Sequence, residues 1–370
     1  MTRHRRIILE SGLIGLVAGA LVVAPWVSGG YLLLLDWVSG PSSTVSPGLY
    51  GLSDNALDAM PWRLGIEALR QLLGPVAAAW VIVLIPFPIA AAGAAHLVRM
   101  GRVPSYAAAL AAVCTPLIVD RVMAGHVAYL LGLSLLPWLM SSALNARSQN
   151  RWFSARTAGW YALAIAVSPH QAWLGGMILL LVAVLPRPGL RDLVRLLLTG
   201  LAAAGTYAYA AVVVLSGVPT LQIGEADLTA FATRPGPGGL LPTILTLHGY
   251  WRGWEGQVRN VLGYSALLLA VAAAAVIVIG LVALVRRGNR RGPLALAFIV
   301  IGALLAAGAQ GPTGSLYDWA FHNVPLFTTM REPAKWLGLI QLGYVIAIAG
   351  GVQAIQQWSR APERPRMVLA

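Results

Sequence analysis

Residues 157–186, TAGWYALAIAVSPHQAWLGGMILLLVAVLP, decide how this chain is laid out. The stretch is apolar enough for one long helix or two short ones. Arginine flanks it on both sides, with Arg147, Arg151 and Arg156 before it and Arg187, Arg191 and Arg195 after it. Basic loops are retained on the cytoplasmic side of a membrane. A single crossing would strand one arginine cluster outside, whereas two short helices meeting at Ser168-Pro169-His170 keep both inside. Pro169 favours the break, because it removes a backbone donor and clashes with the preceding turn. Short helices survive in a bilayer only where they line a protein-enclosed or water-filled cavity. His170 is therefore expected to look into one.

The same alternation extends over the whole chain. Polar breaks at 3–6, 99–102, 147–156, 187–195, 286–291 and 360–366 carry arginine and little else. Those at 36–70, 120–126, 168–171, 217–260 and 310–335 hold most carboxylates and four of the six histidines. The first set, with Glu10 just beyond its first range, has 18 Lys/Arg and 3 Asp/Glu, the second 8 and 10. The first set is read as cytoplasmic, the second as external.

Composition agrees with this layout. Hydrophobic residues make up 58% of the chain and charged residues 11%, against about 25% charged in soluble proteins. A water-soluble fold is excluded. The net charge of +13 is a topology signal with affinity for anionic lipid rather than a nucleic-acid footprint. Lone Cys114 leaves no internal disulfide and no cysteine metal site. The basic N-terminus resembles a signal peptide, but its apolar run from Leu13 to Leu35 is too long for one. It is read as an uncleaved first helix.

A span needs about 20 apolar residues. Clear spans are 12–35, 72–98, 193–215, 261–285, 293–309 and 336–357, with two more in 103–145 and the two short ones in 157–186. The expected fold is an all-α polytopic membrane protein of about ten transmembrane helices, some short or broken, around an outward-facing cavity. It forms one membrane domain, 1–370, with outer loops at 36–71, 216–260 and 310–335. The first loop is expected to carry short helices, one of them opened by Pro61. It is placed in the plasma membrane with both termini cytoplasmic.

Several polar groups stand out against this background. Asp36 follows Tyr31-Leu-Leu-Leu-Leu at the outer mouth of the first span, where a carboxylate either stops the helix or serves a cavity. Asp120-Arg121 and His126 link two spans and combine acid, guanidinium and imidazole. They can grip a phosphate or close an internal ion pair. Arg331-Glu332-Pro333-Ala-Lys335 opens the last helix. Two cations at a helix N-terminus oppose the dipole, and a bound anion would relieve the conflict. His248-Gly-Tyr250-Trp251-Arg252-Gly-Trp254-Glu255 mixes aromatic and polar groups that can stack on sugar rings or anchor at the interface. Walker, HExxH, dinucleotide and nucleophile-elbow motifs are absent, and the scattered histidines give no metal site.

With these residues in view, the chain resembles the class C membrane glycosyltransferases. The resemblance lies in a first span ending in outer Asp36, a helical first outer loop, Arg121…Gly125-His126 opening a span with Leu133–Pro137, and the closing Arg331-Glu332-Pro333-Ala-Lys335. The last motif is similar to the arabinofuranosyltransferase branch. The resemblance implies a polyprenyl-phosphate sugar donor and a glycan or lipid acceptor on the outer face. It implies Asp36 as catalytic base and Arg331, Lys335, Arg121 and His126 around the donor phosphate. His170, His248, Trp251, Arg252 and Glu332 would contact substrate. No further cofactor is evident, and the sequence is silent on a divalent cation. Many members pair two acids where Asp36 stands alone beside Trp37, and many carry a large outer C-terminal domain. Rival expectations are a flippase or transporter of a lipid-linked or anionic substrate, and a noncatalytic subunit of the same fold.

Overall fold

The computed structural model describes residues 2–26, 34, 37, 60–151, 154–185, 189–208, 223–251, 253 and 257–360. Among them the regular structure is helical, with no strand. Helix α1 (Arg3–Val23) is followed by α2 (Met60–Leu73), α3 (Pro75–Leu84), α4 (Pro86–Val98), α5 (Arg102–Val113), α6 (Pro116–Met123) and α7 (Val127–Ser148). Next come α8 (Ala155–Val167), α9 (Gln171–Val184) and α10 (Leu190–Ala204), then short α11 (Glu225–Ala230), α12 (Leu240–Leu245) and α13 (Val258–Leu262). The chain continues through α14 (Tyr264–Arg286), α15 (Arg291–Ala306), α16 (Gly314–Asn323) and α17 (Leu337–Arg360).

Among the described residues, six helical stretches are long and apolar enough to cross a membrane. They are α1, α3–α4, α5–α6, α7, α14 and α17 with its preceding turn, while α9 and α15 are shorter apolar helices. This is a helical protein with the composition of a bilayer resident. Proline sets the internal breaks: Pro75, Pro86 and Pro116 begin α3, α4 and α6, positions where the missing N–H is not needed. The expected span 72–98 is therefore two helices joined at Pro86. The first helix starts earlier than expected, at Arg3, because Thr2 caps it and Glu10 holds Arg6 at 2.8 Å and Arg102 of α5 at 3.4 Å.

Helix α17 is the hub, packing on α14, α15 and α5. At Gly280 of α14 an added Cβ would collide with the Ala347 carbonyl and the Gly351 nitrogen of α17. Such small-residue contacts let helix backbones approach where lipid supplies no hydrophobic drive for association. The outer face of α14, with Leu267, Leu268, Val271, Val278 and Val282, is exposed, as a lipid-facing surface would be.

The arginine-bearing end is tied by its own ion pairs. Asp192 of α10 takes Arg195 at 2.5 Å and Arg147 of α7 at 3.4 Å. Arg147 also donates to the Val182 and Leu185 carbonyls, placing a cation at the negative end of α9. Helices leaving this end deliver 120–126, 168–170 and 331–336 to the opposite end.

Candidate functional site

Three turns meet there. Gly125, at φ +75°, reverses the chain between α6 and α7, a conformation glycine adopts without a Cβ clash. Ser168-Pro169-His170 separates α8 from α9. Two 3₁₀ turns, Phe327–Met330 and Pro333–Trp336, lead into α17 and present Arg331, Glu332 and Lys335.

Arg121 and Glu332 form the central ion pair, their side chains 1% and 4% exposed. Lys335 Nζ lies 3.5 Å from the other Glu332 oxygen and 2.7 Å from His170 Nε2. A charged lysine has donors only, so Nε2 accepts and His170 Nδ1–H donates to Ser168 Oγ at 3.0 Å. By the same logic Arg121 Nη1, 2.9 Å away, donates to His126 Nδ1. Arg121 therefore spends Nη1 on Glu332 and His126, while its buried Nε and Nη2 have no hydrogen-bond partner among the described residues. Its guanidinium carbon sits 5.2 Å from both the Tyr129 and Tyr250 ring centres. Cation–π attraction offsets part of its desolvation. Tyr129 in turn donates to the Lys335 carbonyl at 2.6 Å.

The electrostatics follow from burial. Burial alone would raise the Glu332 carboxyl, but Arg121 and Lys335 hold it well below the usual carboxylate range. Burial, and then the neighbouring Lys335 charge, keep the His170 imidazole neutral. Burial, with Arg259 assisting, pushes His248 down to about 4. His248 Nδ1 stands 4.0 Å from Asp120 Oδ2, both groups buried. Glu332 is the acid that pairs with both Arg121 and Lys335, so the network it joins holds two cations to one carboxylate.

The structure thus gathers Arg121, His126, His170, Glu332 and Lys335. Arg331 stands apart from their hydrogen bonds, but its charge still reaches His170 and Lys335. Arg331 turns to the rim, with Nη1 4.0 Å from Asp227 Oδ1 of α11 and its guanidinium 4.8 Å from the Phe231 ring centre. The expected clash of two cations with the helix dipole is met internally, by Glu332 for Lys335 and by Asp227 for Arg331. Trp251 packs on Phe231 at 4.9 Å and on Tyr250 at 5.4 Å between ring centres, which joins the rim to the buried network. Asp36 and Arg252 lie outside the described residues, as do Asp54, Asp58, Trp254 and Glu255.

A small, mostly apolar groove of about 30 Å³ lies beside the network, lined by Phe87, Ile118, Leu130, Leu133, Pro137 and Gly338 among others. Ile118 precedes Arg121 by about one helical turn, and Gly338 follows Lys335 by the same interval. Groove and network therefore adjoin. Among the described residues no three His, Cys, Asp or Glu side chains cluster as metal ligands.

Sequence reasoning did not single out Tyr129, Asp227 or Phe231 for the site. Tyr129 carried a faint signal, standing three residues past His126 on the same helical face. Asp227 and Phe231 carried none, since only folding of the 216–260 loop brings them to Arg331. Compared with family models, curated proteins and solved structures, the chain matches none.

Proposed function

We propose that this chain is a membrane glycosyltransferase of the class C kind, moving a sugar from a polyprenyl-phosphate donor to an extracytoplasmic glycan or lipid acceptor. The observation carrying this reading is Arg121: a guanidinium 1% exposed, with Nε and Nη2 unengaged among the described residues, beside Lys335 and an apolar groove. A buried donor without an acceptor is costly, and a phosphate oxygen is the acceptor a guanidinium fork matches best.

In the reaction the acceptor hydroxyl attacks the anomeric carbon as the carbon–oxygen bond to phosphate breaks. The bonding pair leaves with polyprenyl phosphate, whose growing charge Arg121 and Lys335 stabilise. Asp36 takes the hydroxyl proton, giving a single inverting displacement. His170, fixed by Ser168, orients Lys335.

Substrate-dependent sugar transfer by the purified full-length protein in nanodiscs tests the reading. Asp36→Asn is expected to abolish transfer while prenyl-phosphate binding persists, and Arg121→Ala to lose both. The pairing of Arg121 and Lys335 with Glu332 favours a second reading, a noncatalytic membrane subunit, which robust wild-type transfer would exclude.

A further inference from the structure

The rim group around Arg331 has a chemistry unlike that of the buried network. Asp227 and Arg331 stand 4.0 Å apart, beyond direct hydrogen-bond distance of about 2.7–3.2 Å. Asp227 is held in place because its other oxygen accepts from Gly224 N at 3.0 Å, and Arg331 is held over the Phe231 ring. The pair thus offers a fixed acceptor and a fixed fork of donors with a gap between them. Beside the gap are Phe231 and Trp251, nearly perpendicular at 81°. All four side chains are half-buried, so each keeps accessible surface.

A phosphate fits this group poorly, since Asp227 would repel it. A hydroxyl fits well, because it donates to a carboxylate while accepting from a guanidinium. Adjacent hydroxyls on a ring whose C–H face rests on an aromatic surface describe a saccharide.

We infer that Asp227, Arg331, Phe231 and Trp251 form a saccharide-binding shelf that seats the acceptor glycan, so that Arg331 serves the acceptor rather than the donor phosphate. The acceptor role rests on the glycosyltransferase reading; sugar binding itself does not. Tyr250 links the two regions, since its ring packs on both Trp251 and Arg121. A sugar on the shelf would therefore lie next to the leaving phosphate.

The test is saturation-transfer NMR on the full-length protein in nanodiscs with arabino-, manno- and galacto-trisaccharides as probes. At least one should bind wild type, and Trp251→Ala and Arg331→Ala should each weaken it about tenfold. Both variants should keep the thermal shift produced by a short-chain prenyl phosphate, which also shows that they fold. Arg121→Ala should do the reverse, losing that shift and keeping the sugar. Absence of binding by every trisaccharide, unchanged affinity in both rim variants, or loss of the prenyl-phosphate shift in Arg331→Ala would each overturn the shelf. Sugar binding without any transfer activity upholds the shelf and removes the enzyme reading.

Discussion

Arg121 and Glu332 lie 211 residues apart in the chain yet pair side chain to side chain at 1% and 4% exposure. The contact joins the last turn of α6 to the turn that starts α17, so it closes one end of the bundle. Its burial makes it a one-sided lever. Removing one partner strands a charge, whereas removing both leaves an apolar gap that neighbours can fill.

The first prediction follows directly. Glu332→Leu or Arg121→Met alone should destabilise the fold by about 3–5 kcal/mol, and the double variant should be more stable than either single one. Thermal unfolding of the four proteins in one detergent measures the coupling. Additive losses would show that the pair carries no mutual energy.

Glu332 also competes with any anionic ligand for Arg121 and Lys335. Glu332→Gln should therefore lower stability yet bind a short-chain prenyl phosphate more tightly than wild type. The opposite signs separate ligand competition from general damage. Weaker binding in titration calorimetry would mean that Glu332 supports the phosphate site or that the phosphate binds elsewhere.

Acid should weaken the fold through His248. Its folded pKa, about 4, lies below the ordinary value of 6.5, so the unfolded chain binds the extra proton first. Stability is then complete above about 6.5, falls as pH drops towards 4, and levels off below. Glu332, depressed in the opposite charge sense, adds loss only below its ordinary 4.5. Unfolding midpoints between pH 4 and 7 should slope less in His248→Gln than in wild type. Parallel curves would remove His248 from the acid response.

Orientation can be read chemically. In a Cys114→Ser background, cysteines at Arg151 and Arg290 should resist an impermeant thiol reagent in intact cells, while those at Thr229 and Ser315 should react. All four positions are exposed in the structure, so protection reports sidedness rather than burial. Labelling at Arg151 but not at Ser315 would invert the assignment.

Several apolar helices and the break at Pro169 were legible in the sequence, whereas the break at Pro86 inside the expected span 72–98 was not. The turn at Ser168-Pro169-His170 is the clearest instance, since arginine on both flanks and one proline predict it without any tertiary contact. These features are set by local rules: a helix satisfies its own backbone, proline lacks a donor, and charge avoids hydrocarbon. The identity of partners was not legible. Arg331 and Lys335 are four residues apart and looked like one anion grip, yet Lys335 turns inward to Glu332 and His170 while Arg331 turns out to Asp227 and Phe231. Arg121 has Asp120 beside it in sequence, but its ion pair is with Glu332. A buried charge takes whichever partner the packing brings within a few ångströms, because desolvation penalises an unpaired one more than any sequence neighbour can repair. The apolar helices and the break at Pro169 were written in the chain itself, and the choice of partner for each charge belonged to the tertiary packing of α6, α9 and α17.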